Sequence, residues 1–313
     1  MKKTILSIIL SLIISIGTTA QNGTPSMKIF SNCKYDISNE NEVQQFKGFE
    51  IKRAYLGYSY QIDESFSTKI TFDVGSNSAG SSYTAFLKTA SLKWNAATDL
   101  NINIGMVGTK NFKFMENSWG KRYIEKSAMD KYNWASSADA GFTVDYSLSE
   151  KIKFDAQLLN GEGYKKIHSD ELFRAGFGLT YKALESLFLR VHHDISDNTL
   201  VDQTITTAAL SYNNQKISIG GEINMMKNNN NIADDEQNII SIYGSFNANE
   251  KYTAFARYDD ASETNYNEKF IIYGIERKMA KGVAIALNMQ SRTDSTEGSE
   301  SENILFLNLE YKF

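Results

Sequence analysis

"FSTKITFDV", residues 66–74, decides the fold. Phe66, Thr68, Ile70, Phe72 and Val74 alternate with Ser67, Lys69, Thr71 and Asp73. Successive side chains of an extended chain point to opposite faces, so this spacing makes a strand with one apolar and one polar side. On a helix the same apolar residues would scatter around the axis.

The pattern recurs in both directions. "LNINIGM" (100–106) sets Leu100, Ile102, Ile104 and Met106 against Asn101, Asn103 and Gly105. "ADAGFTVDYSL" (138–148), "IKFDAQL" (152–158), "LFLRVHHD" (187–194), "YTAFARYD" (252–259) and "VAIALNMQS" (283–291) continue it. The sequence closes on "ILFLNLEYKF" (304–313), with Leu305, Leu307, Leu309, Tyr311 and Phe313 on one side. Strand centres fall from Phe30 through Tyr55, Ile70, Phe142, Ile219 and Tyr273 to Leu307, about sixteen in all. Fourteen is the alternative, because the first and the fourteenth are the least regular.

The connectors alternate as well. Tight polar turns near Asp63, Thr98, Glu150, Leu184, Asn214, Asn249 and Lys281 separate longer hydrophilic links. These links include "GSNSAGSS", "NGEGYKKIHSDE", "ISDNTLVDQ", "KNNNNIADDE", "DASETNYNE" and "TDSTEGSES". Short turns at one end and long loops at the other mark a transmembrane antiparallel up-and-down β-barrel. The first strand is then expected to pair with the closing strand, removing both edges. A soluble sandwich alternates too, but export, connector lengths and recurring aromatics favour the barrel. Tyr58, Tyr60, Trp94, Tyr146, Tyr181, Tyr212, Tyr258 and Tyr311 are candidates for interfacial girdles.

Residues 1–20 read as a secretory signal peptide: Lys2 and Lys3, an apolar run from Ile5 to Ile16, then Thr18-Thr19-Ala20. The run is short of the ~20 residues that a spanning helix needs. Cleavage after Ala20 leaves residues 21–313 as the barrel. Cys33 is the only cysteine, which excludes an internal disulfide framework and a cysteine-built metal site. The only proline is Pro25. A net charge of −4 does not suggest a nucleic-acid partner. No cofactor is implied.

Several stretches resemble the family of phosphate-selective porins O and P, particularly its Bacteroidetes members. "FKGFEIKRAYLGYSYQIDESFSTKITFDVG" (46–75) is similar to that family's early hairpin. "NIGMVGTKNFKFMENSWGKRYIEKS" (103–127) resembles the segment where a strand runs into a long loop bearing a glutamate. "LLNGEGYKKIHSDELFRAGFGLTYKAL" (158–184) resembles an Asn-Gly-x-Gly loop followed by an arginine-bearing strand. The terminal "YKF" is like the aromatic end that the outer-membrane assembly machinery reads, here through Phe313. The chain is smaller than typical members and lacks the usual proline after "VGTK". The resemblance implies an outer-membrane location in a Gram-negative bacterium, a homotrimer, and a long third loop folded into the lumen.

That loop runs from 108 to 134. It carries Lys110, Lys113, Lys121, Arg122, Lys126 and Lys131 against Glu116, Glu125 and Asp130, a clear cationic excess in an acidic chain. At a constriction walled by low-dielectric protein, fixed charge concentrates counter-ions, so the loop is the candidate anion-attracting element. Arg53, Lys69, Arg174, Arg190 and Arg257 are expected on the lumen wall, with Asp73, Asp139, Asp145, Asp155, Glu222 and Asp259. Lumen-side Tyr55, Phe188, Tyr243, Phe255 and Phe306 are expected to pack on the inward loop or to form a path for sugars.

The expected function is a porin: a water-filled channel, bounded by outer-membrane lipid, that passes small hydrophilic solutes with a preference for anions, phosphate among them. A non-conducting display or adhesion barrel is the second reading. A barrel enzyme is the third. "VHHD" (191–194) puts His192 and Asp194 on one face, but no serine lies in a nucleophile elbow.

Overall fold

The computed structural model describes residues 23–38, 47–75, 83–263, 266–294 and 301–313. The expected signal peptide with its cleavage after Ala20, most of "GSNSAGSS" and most of "TDSTEGSES" lie outside the described residues.

Sixteen antiparallel strands close into one barrel, each beside its neighbours in sequence. They are β1 (Gly23–Asp36), β2 (Lys47–Gln61), β3 (Phe66–Gly75), β4 (Thr84–Ala97), β5 (Leu100–Gly108), β6 (Ala138–Ser147), β7 (Ile152–Leu159) and β8 (Arg174–Leu184). The second half holds β9 (Leu187–Ser196), β10 (Gln203–Asn213), β11 (Ile217–Lys227), β12 (Glu236–Asn247), β13 (Tyr252–Glu263), β14 (Tyr266–Ala280), β15 (Val283–Asp294) and β16 (Glu302–Lys312). The sixteen expected centres each fall within their own strand. β1 pairs with β16 from Lys28↔Lys312 to Asp36↔Ile304, so the closing strand does close the sheet.

The faces are inverted relative to a soluble protein. On β12, Ile242 is 57 % exposed while Ser241 is sealed; on β15, Leu287 is 53 % exposed while Asn288 is sealed. Apolar side chains therefore point away from the barrel axis and polar ones toward it, the arrangement that acyl chains outside and water inside require. Of the girdle candidates, Tyr58, Tyr60, Trp94, Tyr146, Tyr181, Tyr212 and Tyr311 all stand near the tight-turn end of their strands. Tyr258 instead lies toward the other end, with its hydroxyl donating to Asp260 at 3.0 Å.

One connector differs from expectation. "DASETNYNE" is not a long loop: β13 runs to Glu263 and β14 resumes at Tyr266, with Ala261 opposite Glu268. A hairpin that projects past the apolar belt needs no apolar face, so its strands read as a polar link. At the tight β14–β15 turn, Gly282 adopts φ 76°, and a Cβ there would sit 2.1 Å from the Lys312 carbonyl oxygen. Only glycine fits.

Candidate pore constriction

The link between β5 and β6 folds into the lumen. It contains two short helices, α1 (Lys113–Trp119) and α2 (Ala128–Lys131). Met115 and Trp119, one turn apart on α1, share a buried face. Gly120, at φ 65°, ends the helix by donating its N–H to the Glu116 carbonyl at 3.0 Å. Its left-handed conformation turns the chain back toward the wall.

The inner wall beneath this loop is apolar. Phe112, Met115, Ala128, Met129 and Trp134 of the loop pack on Ile205, Ala209, Met226, Ile239 and Ala261 of β10–β13. Trp119, Tyr123 and Ile124 pack on Tyr243, Phe255, Phe270, Ile272 and Ala286 of β12–β15, and on Phe30 of β1. Trp119 meets the Tyr243 and Phe255 rings edge-on at 5.7 and 6.2 Å. Each fully buried Met, Ile or Phe contributes roughly 1.5–3 kcal/mol, so hydrophobic burial holds the loop to one side of the barrel.

Three arginines hold its backbone. Arg190, paired with Asp155 at 2.6 and 2.9 Å, donates to the Lys110 carbonyl at 2.9 Å. Arg257, paired with Asp259 at 2.7 Å, donates to the Lys126 carbonyl. Arg174, paired with Asp194 at 3.2 Å, donates to the Trp134 carbonyl at 3.4 Å. The start, middle and end of the loop are thus each tied to a buried ion pair. His192 belongs to the same network, 3.6 Å from Asp155 and 3.3 Å from Asp194.

The loop's own cations are largely neutralised. Lys110 pairs with Asp145 of β6 at 2.6 Å, and Lys121 with Glu276 of β14 at 3.1 Å. Lys131 pairs with Glu268 of β14, which also accepts from the Tyr132 hydroxyl at 2.9 Å. Inside the loop, Lys113 pairs with Glu116 at 2.7 Å, Arg122 with Asp130 at 3.0 Å, and Lys126 with Asp130 at 3.7 Å. Burial alone would raise Glu116. Lys113, by charge and hydrogen bond, and Arg122 outweigh it and hold the carboxyl below its usual value. Glu125 is held low in the same way: Lys52 and the Lys126 N–H overcome its burial.

Opposite the loop, along β1–β5, the lumen stays open. A cavity of about 710 Å³ lies between them. The loop contributes Lys110, Lys113 and Arg122; the wall contributes Lys28, Lys69, Lys88 and Lys312; Glu116 is the one acid in this lining. Toward the long-connection end, a second cavity of about 530 Å³ has Glu125, Glu268 and Glu302 beside Lys131 and Arg292.

Two wall cations escape a strict period-two reading. On β2 the register steps from Phe30↔Arg53 to Ser31↔Ile51, leaving Lys52 as the extra residue. Arg53 donates to Asp73 at 2.8 Å, and Lys52 also turns inward, donating to the Ile124 carbonyl at 2.9 Å. On β4 the step from Thr71↔Thr89 to Phe72↔Leu87 leaves Lys88, so Lys88 and Thr89 both face the lumen. A β-bulge does this: the inserted residue breaks the alternation without moving the flanking apolar rows. Lys88 stands 4.8 Å over the Tyr55 ring and 5.3 Å from that of Tyr164. Among the described residues it has no acidic partner within ion-pair distance.

By sequence the chain matches no family model and no curated protein. By structure it is similar to the anion-selective porin from Comamonas acidovorans, with a TM-score of 0.70 at 11% identity over 93% of this chain and 99% of that one. OprB of Pseudomonas putida, in a structure at high pH, gives 0.69 at 8% identity over 93% and 94%. In-vitro folded OmpT, an outer-membrane protein of Vibrio cholerae in trimer form, gives 0.62 at 12% over 94% and 100%. At these identities the likeness establishes the fold, a closed sixteen-strand antiparallel β-barrel.

Proposed function

We propose that the chain is an outer-membrane porin, a passive channel for small hydrophilic solutes with a preference for anions. The observation that carries this reading is the passage along β1–β5, whose lining holds seven cations and one acid, Glu116. Lys110, Lys113, Arg122 and Lys312 have carboxylate partners, while Lys28, Lys69 and Lys88 have none within ion-pair distance among the described residues. Low-dielectric walls focus the field of such groups and raise the local anion concentration. The inverted faces of the barrel support a membrane setting, and the structural likeness to the Comamonas anion-selective porin runs in the same direction.

Finer parts of the reading follow from it. Phosphate, a small multivalent oxyanion, is one solute such a field would favour. The trimer form described for OmpT supports a homotrimer here. Phe313 is 73 % exposed while its backbone pairs with Met27, which leaves the terminal ring available to an assembly factor. Removal of residues 1–20 on export completes the picture.

The decisive measurement is the zero-current potential of the purified protein in planar bilayers under a potassium chloride gradient. A potential of the sign that chloride permeation sets is expected. Cation preference, or an absence of conductance, would overturn the reading.

A further inference from the structure

The passage presents two kinds of group. Lys69 and Lys88 of the wall supply charge without an acidic partner in ion-pair distance among the described residues, and Thr71, Thr89, Ser91 and Asn103 of the same wall supply neutral hydrogen-bonding groups beside them. These sit on adjacent strands: Thr71 lies opposite Thr89, and the β4–β5 register sets Lys93 opposite Asn103. The bulge at Lys88 joins the two chemistries, placing a cation directly beside the hydroxyl row. At about 710 Å³ the space falls within the range of sites that enclose small molecules.

Inorganic oxyanions use the cations and leave the hydroxyl row idle. Neutral sugars use the hydroxyls and leave Lys69 and Lys88 without a counter-charge. A solute that is ionised at one position and hydroxylated elsewhere satisfies both, and charge-assisted hydrogen bonds are the stronger kind. We propose that the passage selects anionic carbohydrates, sugars of about monosaccharide size that carry a carboxylate or a phosphate. The proposal rests on the anion-channel reading and names its substrate class.

The test uses the purified barrel in planar bilayers, with D-galacturonate, glucose 6-phosphate, glucose and inorganic phosphate added in turn. The readout is the concentration that halves the chloride current. At least one charged sugar should act at a concentration about tenfold below both glucose and inorganic phosphate, the effect of one charge-assisted hydrogen bond. Galacturonate alone would assign a carboxylate, and glucose 6-phosphate alone a phosphate. Lys88→Gln should erase the advantage over glucose, and Thr89→Val with Ser91→Ala the advantage over inorganic phosphate. Equal action by inorganic phosphate or by glucose overturns the proposal, and needs no variant to fold. So does an advantage that survives both variants. Anion preference without discrimination among these solutes sinks the proposal and leaves the channel reading standing; cation preference sinks both.

Discussion

Lys121 Nζ and the Tyr123 hydroxyl meet on one oxygen, Oε2 of Glu276, at 3.1 and 2.7 Å, joining the constriction loop to a strand more than 150 residues away in sequence. Burial first, then Glu276, pushes the Tyr123 phenol well above its usual value, so it remains a donor at any physiological pH. Glu276→Gln should therefore loosen the loop while the barrel stays closed. Stranding a buried cation costs about 3–5 kcal/mol. The expected result is faster tryptic cleavage after Lys121 or Arg122 and greater open-channel noise. Unchanged protease resistance would show that apolar packing alone holds the loop.

Selectivity should follow the wall rather than the paired loop lysines. Lys69→Gln and Lys88→Gln, combined, should move the zero-current potential toward zero. Lys121→Gln and Lys131→Gln should change its magnitude much less, because neither side chain lines the passage along β1–β5. The opposite ranking would return the filter to the loop.

Much of the barrel was legible because period two survives any tertiary context: a strand between lipid and water must alternate. The loop's position against β10–β15 was less so, although the sequence carries its trace. Ile239-Ile240, Ile271-Ile272, Met225-Met226 and Ala208-Ala209 are apolar doublets, and in each one member faces outward while the other lies under the loop. A doublet inside an alternating strand marks a lumen position that is dry. The charge of the constriction was harder to read. The loop's excess of cations is visible in the chain, but the neutralising Asp145, Glu268 and Glu276 come from strands whose proximity only the fold supplies. Lys52 and Lys88 were missed because a bulge leaves no pattern in a single sequence.

Acid should sharpen anion preference. Glu116 and Glu125 are held below their usual value of 4.5, so the stability they lend the loop is complete above that value and is lost only as pH falls through their lower folded values. Protonating Glu116 also removes the one carboxylate among the groups lining the passage. Zero-current potentials measured from pH 7 to pH 3 should stay level to about pH 4.5 and then shift further in the anion direction. A shift already under way at pH 5 would place Glu116 outside its ion pairs.

Orientation of the faces has its own check. Leu287→Arg, on the outer face near the middle of β15, should lower refolding yield into lipid vesicles, at a cost of about 2–4 kcal/mol. Ser91→Arg, on the lumen side, should refold like the parent and strengthen anion preference. Equal tolerance at the two positions would contradict the assignment of lipid and water.

The bulges at Lys52 and Lys88 bear on how such a channel can diversify. Elsewhere in a two-sided sheet, gaining one more pore charge means replacing an existing lumen group. An added codon at a bulge inserts a new side chain into the pore while every oily residue above and below keeps its facing. Permeability can thus be retuned by a change in length, one amino acid at a time, with the membrane seal untouched.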